Sequence, residues 1–204
     1  MSIEENKVTS VVPSEREQCT YTACYCEENV WKLCALVKDS CPEEEFNKCS
    51  CVFISNDKRQ IPLWHQRAGK NPERLVVWDY HVIMVYNEKE SPLVYDLDTE
   101  LSFPCHLKEY AAAGIGDEKS MHSKYKRMFR VIPGQEFLST FASDRSHMLD
   151  KEGGWMSPPP DYPPIKTEAS SNNIQEFISM DKSVKHGQVY NLSGFLHKFD
   201  TSLS

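Results

Sequence analysis

The sequence predicts a mixed α/β fold, a mainly antiparallel sheet covered by helices on both faces, and three observations carry that prediction. First, Val30, Leu33, Cys34 and Val37 fall at i, i+3, i+4 and i+7, the apolar stripe of a helix that packs on something. Second, the runs Leu75–Tyr86 and Leu93–Asp98 flank a polar turn at residues 87–91, the pattern of an antiparallel hairpin. Third, both runs are apolar on both faces apart from Asp79, His81, Asp96 and Asp98. A strand apolar on both sides lies in the middle of a sheet with helices above and below it.

The elements follow in order. Residues 1–17 are polar and aperiodic and read as a mobile tail, which leaves 18–204 as a single catalytic domain. A helix is expected from about Glu27 to Lys38, with Glu27 and Glu28 in the first turn, where the dipole favours acids. Asp39–Pro42 breaks it, and Pro42 suits the start of a second short helix because that position needs no N–H. Cys51–Ser55 reads as a strand, Asn56-Asp57 as a turn and Gln60–Trp64 as its partner, an edge strand because of Pro62. After the hairpin, helical patterns appear at 107–113, 135–141, 174–180 and 192–199, with a short strand at 127–132. Residues 151–166, rich in Pro and Gly, form an irregular surface loop whose tyrosine and tryptophan should pack down.

Composition narrows the class. With 204 residues, 40% of them hydrophobic and 26% charged, the chain can bury one sizeable core. A net charge of -7 argues against nucleic acid or an anionic membrane as the main partner. No apolar run reaches the roughly 18 residues of a membrane helix, and the charged N-terminus is no secretory signal. The eight cysteines are therefore expected as thiols in a reducing compartment, cytoplasmic or nuclear.

One of those cysteines stands where a nucleophile would. Cys26 opens the first helix, and unpaired N–H groups and the positive dipole end favour thiolate there. The plain alternative is a half-buried capping cysteine, and the His and Asp residues of the central hairpin tip the balance. In a thiol hydrolase the Cys attacks a carbonyl, a His carries its proton, and an acid orients the His. The order Cys, His, acid, with the Cys on a helix and the others on a sheet, is that of papain-like and transglutaminase-like enzymes. That is an analogy of folds. Side chains alternate along the strand, so His81 shares a face with Val77, Asp79, Ile83 and Val85. If Tyr86 pairs with Ser91, His81 lies opposite Asp96; if Asn87 pairs with Pro92, it lies opposite Asp98. Asp79 is a same-strand alternative.

Cys24-Tyr-Cys-Glu-Glu-Asn-Val-Trp-Lys-Leu, Phe53-Ile-Ser-Asn, Trp78-Asp-Tyr-His-Val, Tyr95-Asp-Leu-Asp-Thr and Phe103-Pro-Cys closely resemble the protein N-terminal glutamine amidohydrolase family. Ala142-Ser-Asp-Arg-Ser-His-Met, Pro158-Pro-Pro-Asp-Tyr-Pro and Phe177-Ile-Ser-Met-Asp extend the resemblance from Cys19 to Phe199. It implies an α-β-α three-layer sandwich of transglutaminase-like descent, active as a monomer without metal or organic cofactor. It also implies deamidation of N-terminal glutamine to glutamate, which feeds proteins into the arginine branch of the N-degron pathway. The family's catalytic Cys, His and Asp fall on Cys26, His81 and Asp96. The implied partners are proteins and peptides with a free N-terminal Gln, whose α-ammonium needs a carboxylate or carbonyls; Glu27, Glu28 and Asp79 are the acids at hand.

Other readings of the same residues are structural. Cys24 reads as a packing residue, and Trp78 and Tyr80 as core on the face opposite His81. Cys24, Cys26, Cys49 and Cys51 lack the spacing of a zinc site. Asp144, Arg145 and His147 suggest an ion pair closing their segment, or residues that border the pocket. Two rival functions remain: a related thiol hydrolase or transglutaminase-like amidase using the same three residues, and a peptide-end reader without turnover.

Overall fold

The computed structural model describes residues 12–88 and 91–200. Its helices are α1 (Cys26–Ser40), α2 (Glu43–Phe46), α3 (Leu107–Glu109), α4 (Gly134–Thr140), α5 (Ile174–Ile178) and α6 (Leu192–Phe199). α3 runs on into a π-helical segment, Tyr110–Ile115. The strands are β1 (Cys49–Ser55), β2 (Ile61–Leu63), β3 (Val76–Trp78), β4 (His81–Tyr86), β5 (Leu93–Tyr95), β6 (Cys105–His106), β7 (Met128–Pro133) and β8 (Gln188–Asn191). Six of them form an antiparallel sheet in the order β6-β5-β4-β1-β7-β8, and β2 pairs with β3 in a separate ribbon.

The period of two along the central strands divides the core. Cys51, Phe53, Val82 and Met84 face one layer, with Val30, Leu33, Cys34 and Val37 of α1, Phe46 of α2, Phe137 of α4 and Phe177 of α5. Val52, Ile54, Ile83 and Val85 face the other, with Tyr110, Ile115, and Phe195 and Phe199 of α6. Every residue of β4 is buried, as a strand apolar on both faces requires. The expected sheet with helices on both sides is therefore present.

Three expectations are corrected. The run 51–55 does not pair with 60–64: β1 is central, flanked by β4 and β7, and β2 turns away to β3. The apolar run 75–86 is not one strand, because it leaves the ribbon at Trp78, bends through Asp79-Tyr80 and enters the main sheet at His81. Alternation cannot be counted across that bend, so Trp78 is not on the face opposite His81: its indole stacks on the imidazole at 5.5 Å and 17°. Within the segment expected as a tail, residues 1–11 lie outside the described residues. Val12 is 8% exposed in the core, and Arg16 donates to the carbonyls of Thr99 (2.7 Å) and Leu101 (2.9 Å).

Candidate active site

α1 begins at Cys26, one residue before the sequence reading placed its start. The turn ahead of it is clamped by Asn29, which accepts from the Thr22 amide (2.8 Å) and donates to the Thr22 carbonyl (2.9 Å). Cys24, in that turn, holds φ +70°, a left-handed conformation that costs a non-glycine residue roughly 1–2 kcal/mol. The clamp and the bond from Ser157 Oγ to the Ala23 carbonyl (3.3 Å) hold it there. Cys24 is exposed, two residues ahead of Cys26.

β4 approaches this helix end. β4 packs against α1, and the backbone of Val82, the residue after His81, acts on the Cys26 sulfur in favour of the thiolate. The thiol in turn points to Glu27 Oε2 at 3.7 Å. Burial first, then the charges of Glu27 and Asp98, push the Cys26 pKa well up, and the Val82 backbone only opposes them. The helix terminus is thus not the only influence on the thiol: burial and the neighbouring acids favour the protonated sulfur, so nucleophilic chemistry there calls for a base.

That base is at hand. His81 is buried, and its Nε2 lies 2.9 Å from Asp96 Oδ1. Nε2 donates to the carboxylate, which leaves Nδ1 with the lone pair, buried and without a hydrogen-bond partner. Burial works against the imidazolium, but the carboxylates of Asp96, Asp98 and Glu27 outweigh it, and the His81 pKa is raised. Burial likewise opposes the Asp96 carboxylate. His81, the Asp98 amide and Gln66 prevail, and its pKa is lowered. Tyr110 OH (2.8 Å) and Gln66 Nε2 (3.2 Å) donate to Oδ2, and the Asp98 amide (2.9 Å) donates to Oδ1. Gln66 also accepts from the Trp78 indole at 3.2 Å, tying the stacked ring to the same network.

The register is the second of the two alternatives. Tyr86 pairs with Leu93 and Met84 with Tyr95, which extended would set His81 opposite Asp98. β5 stops at Tyr95, however, and the Asp98 amide folds back onto Asp96, so it is Asp96 that meets the imidazole.

Cys26, His81, Trp78, Tyr80, Asp79 and Asp98 share the walls of a cleft of about 370 Å³. Of the acids considered for an ammonium, Asp79 is exposed on that wall. Glu28 is taken up in a buried bidentate pair with Arg145 (2.8 Å and 2.8 Å). Glu27 is fully buried, accepts from Tyr80 OH (3.0 Å), and lies 3.5 Å from His147 Nε2. The ion pair expected within residues 144–147 therefore reaches across to α1 instead. His147 lines the cleft. Gln66 and Tyr110 escaped sequence reasoning, because nothing local marks a residue that bonds a carboxylate 30 or 14 positions away. Among the described residues the group close enough to share a metal ion is His81, Asp96 and Asp98, within 4.8 Å. There the hydrogen shared with Asp96 occupies the Nε2 a metal would need. The four cysteines Cys24, Cys26, Cys49 and Cys51 form no such group.

The chain has relatives among known proteins. Residues 21–199 match the family model described as N-terminal glutamine amidase. The protein N-terminal glutamine amidohydrolase of Danio rerio is 47% identical over 192 residues, 93% of each chain. That of Homo sapiens is 47% identical over 189 residues, 90% of this chain and 89% of its own. That of Drosophila melanogaster is 44% identical over 182 residues, 89% and 88%. The chain belongs to the N-terminal glutamine amidase family.

Proposed function

We propose that this chain deamidates the N-terminal glutamine of proteins and peptides to glutamate through a Cys26–His81–Asp96 triad. The observation that carries the reading is the position of His81. One ring nitrogen is bonded to Asp96 at 2.9 Å, the other is bare, and Cys26 lines the same cleft.

His81 Nδ1 takes the thiol proton as the sulfur attacks the side-chain carboxamide carbon, and Asp96 stabilises the imidazolium that forms. The oxyanion is held by backbone N–H groups at the start of α1, Cys26's own among them, which the helix leaves unpaired. Collapse of the tetrahedral species breaks the C–N bond, His81 returns its proton to nitrogen, and ammonia leaves a thioester on Cys26. Water, deprotonated by His81, then hydrolyses the thioester to glutamate, and the proton goes back to sulfur. No step calls on a metal or organic cofactor.

The helix-borne Cys, with His on an antiparallel sheet and the acid just past a neighbouring strand, supports a transglutaminase- or papain-like architecture, in one catalytic domain that takes in Val12 and acts as a monomer. The product carries an N-terminal Glu that can be arginylated, which would place the enzyme in the arginine branch of the N-degron pathway, in cytoplasm or nucleus. Ammonia release from a short peptide beginning with Gln tests the reading. It should occur with the free peptide and fail with its N-acetylated form and with the same peptide beginning with Asn. Release from internal Gln would instead favour a broader, transglutaminase-like amidase.

A further inference from the structure

A terminus-specific enzyme has to recognise a cation at a fixed distance from the reacting carbon. Four bonds separate the α-nitrogen of Gln from its carboxamide carbon, about 5 Å when extended. With that carbon on Cys26, the ammonium falls against the cleft wall. The acids on the wall are Asp79 and Asp98. Asp79 is exposed, where water weakens its hold on a cation. Asp98 is 7% exposed and still lines the cleft. One of its oxygens lies within 4.8 Å of a His81 ring nitrogen, which places it beside the reacting groups.

Its partners leave it underused. Tyr21 OH donates to Oδ1 at 2.6 Å, and no hydrogen bond reaches Oδ2 among the described residues. The groups that face it are Tyr21 and Arg67 on one side and His81 and Asp96 on the other. Arg67 lies over the Tyr21 ring, 5.3 Å from its centroid, and none of the ion pairs among the described residues involves Asp98. The Asp98 backbone is used as well, its N–H by Asp96 and its C=O by the Arg67 amide (2.7 Å). The side chain is thus held rigidly with one oxygen unspent. Arg67 and His81 act on it without an ion-pair contact, so a carboxylate kept nearly dry with one oxygen free of hydrogen bonds gains further when a cation arrives.

We propose that Asp98 binds the α-ammonium of the N-terminal glutamine and so sets the restriction to free N-termini. The inference rests on the glutamine reading above. It names a specificity residue outside the triad, and one that was weighed from sequence only as a partner for His81. The Trp78 ring, stacked on His81, walls the same end of the cleft.

The test separates binding from turnover. In a Cys26→Ala background, the dissociation constant is measured for a short peptide beginning with Gln and for its counterpart lacking the α-amine. The free-amine peptide should bind about tenfold more tightly or better, the scale of an ion pair in a partly dry cleft. In Cys26→Ala/Asp98→Asn that gap should close to within about twofold, with the amine-less peptide binding as before. A gap that persists, or that closes in Cys26→Ala/Asp79→Asn instead, overturns the proposal. So does the absence of any gap in Cys26→Ala. If Asp98→Asn does not fold, the gap in Cys26→Ala is followed as pH falls. Burial raises the Asp98 pKa, so closure above the ordinary aspartate range supports the assignment and closure within that range overturns it. Ammonia release by the wild-type enzyme checks the glutamine reading independently, so the two can fail separately.

Discussion

His81 bonds Asp96 at 2.9 Å, although the register of β4 and β5 carries His81 across from Asp98. The pairing depends on β5 ending at Tyr95 and on the Asp98 amide bonding back to Asp96 Oδ1. Asp96 thereby fixes the tautomer that leaves the lone pair on Nδ1, the base of the proposed mechanism. Asp96→Asn keeps the shape but presents an amide that can reverse the tautomer. Its kcat should fall by about 10³–10⁴-fold with the fold intact. Steady-state ammonia release beside a melting curve checks this.

The same pair makes stability depend on pH. The His81 pKa is raised, so its contribution is full below the ordinary 6.5 and is lost as pH rises through the folded value. The Asp96 pKa is lowered, so its contribution is present above 3.8 and is lost as pH falls through the folded value. The stability deficit of Asp96→Asn should therefore be greatest between these limits. Urea midpoints at about pH 5.5 and about pH 9 should show it shrinking at the higher pH; an equal deficit at both would contradict the linkage.

Tyr110 reaches Asp96 from the π-helical segment on the opposite layer. Tyr110→Phe removes a donor from a buried carboxylate and should cost about 1.5–3 kcal/mol, the range for hydrogen bonds to charged groups. The change should appear as a lower urea midpoint with an unchanged m-value.

Glu27 is the nearest charge that raises the Cys26 pKa. Glu27→Gln removes the charge while an amide oxygen can still accept from Tyr80, so the thiol pKa should drop. The rate of alkylation of Cys26 by iodoacetamide, followed against pH, should have its midpoint shifted downward. An upward shift would show that Glu27 serves the thiolate in some other way.

Arg145 and Glu28 make a buried bidentate pair, with Arg145 also donating to the Pro160 carbonyl (3.2 Å) and lying over Tyr162. Arg145→Ala strands the Glu28 charge and should destabilise by about 3–5 kcal/mol. Arg145→Met combined with Glu28→Gln should cost less than Arg145→Ala alone, because no charge is left buried. Denaturant titrations of the two variants decide it.

What the sequence made legible was whatever depends on local spacing. The apolar stripe of α1 located Cys26, and the two-sided apolarity of 81–86 marked a central strand. The bend at Asp79-Tyr80 was hidden because the run 75–86 is apolar on either side of it with no Gly or Pro between, and only the separate pairing of β2 with β3 breaks it. Trp78 was consequently assigned to the wrong side of His81. Strand alternation narrowed the acid partner to three, because it does not describe a turn that folds Asp98 onto Asp96, and only the family resemblance singled out Asp96. Gln66, Tyr110 and the Glu28–Arg145 pair belong to tertiary contacts that no local pattern encodes.

The proposed mechanism stands or falls with Cys26 as the nucleophile. Ammonia release from a peptide beginning with Gln, compared between Cys26→Ala and Cys24→Ala, tests it most directly. Loss of the triad thiol should abolish release, by about 10³-fold or more, while Cys24→Ala, which removes an exposed thiol from the same cleft, should lose less than about tenfold. Release retained by Cys26→Ala, or abolished only in Cys24→Ala, would contradict the assignment.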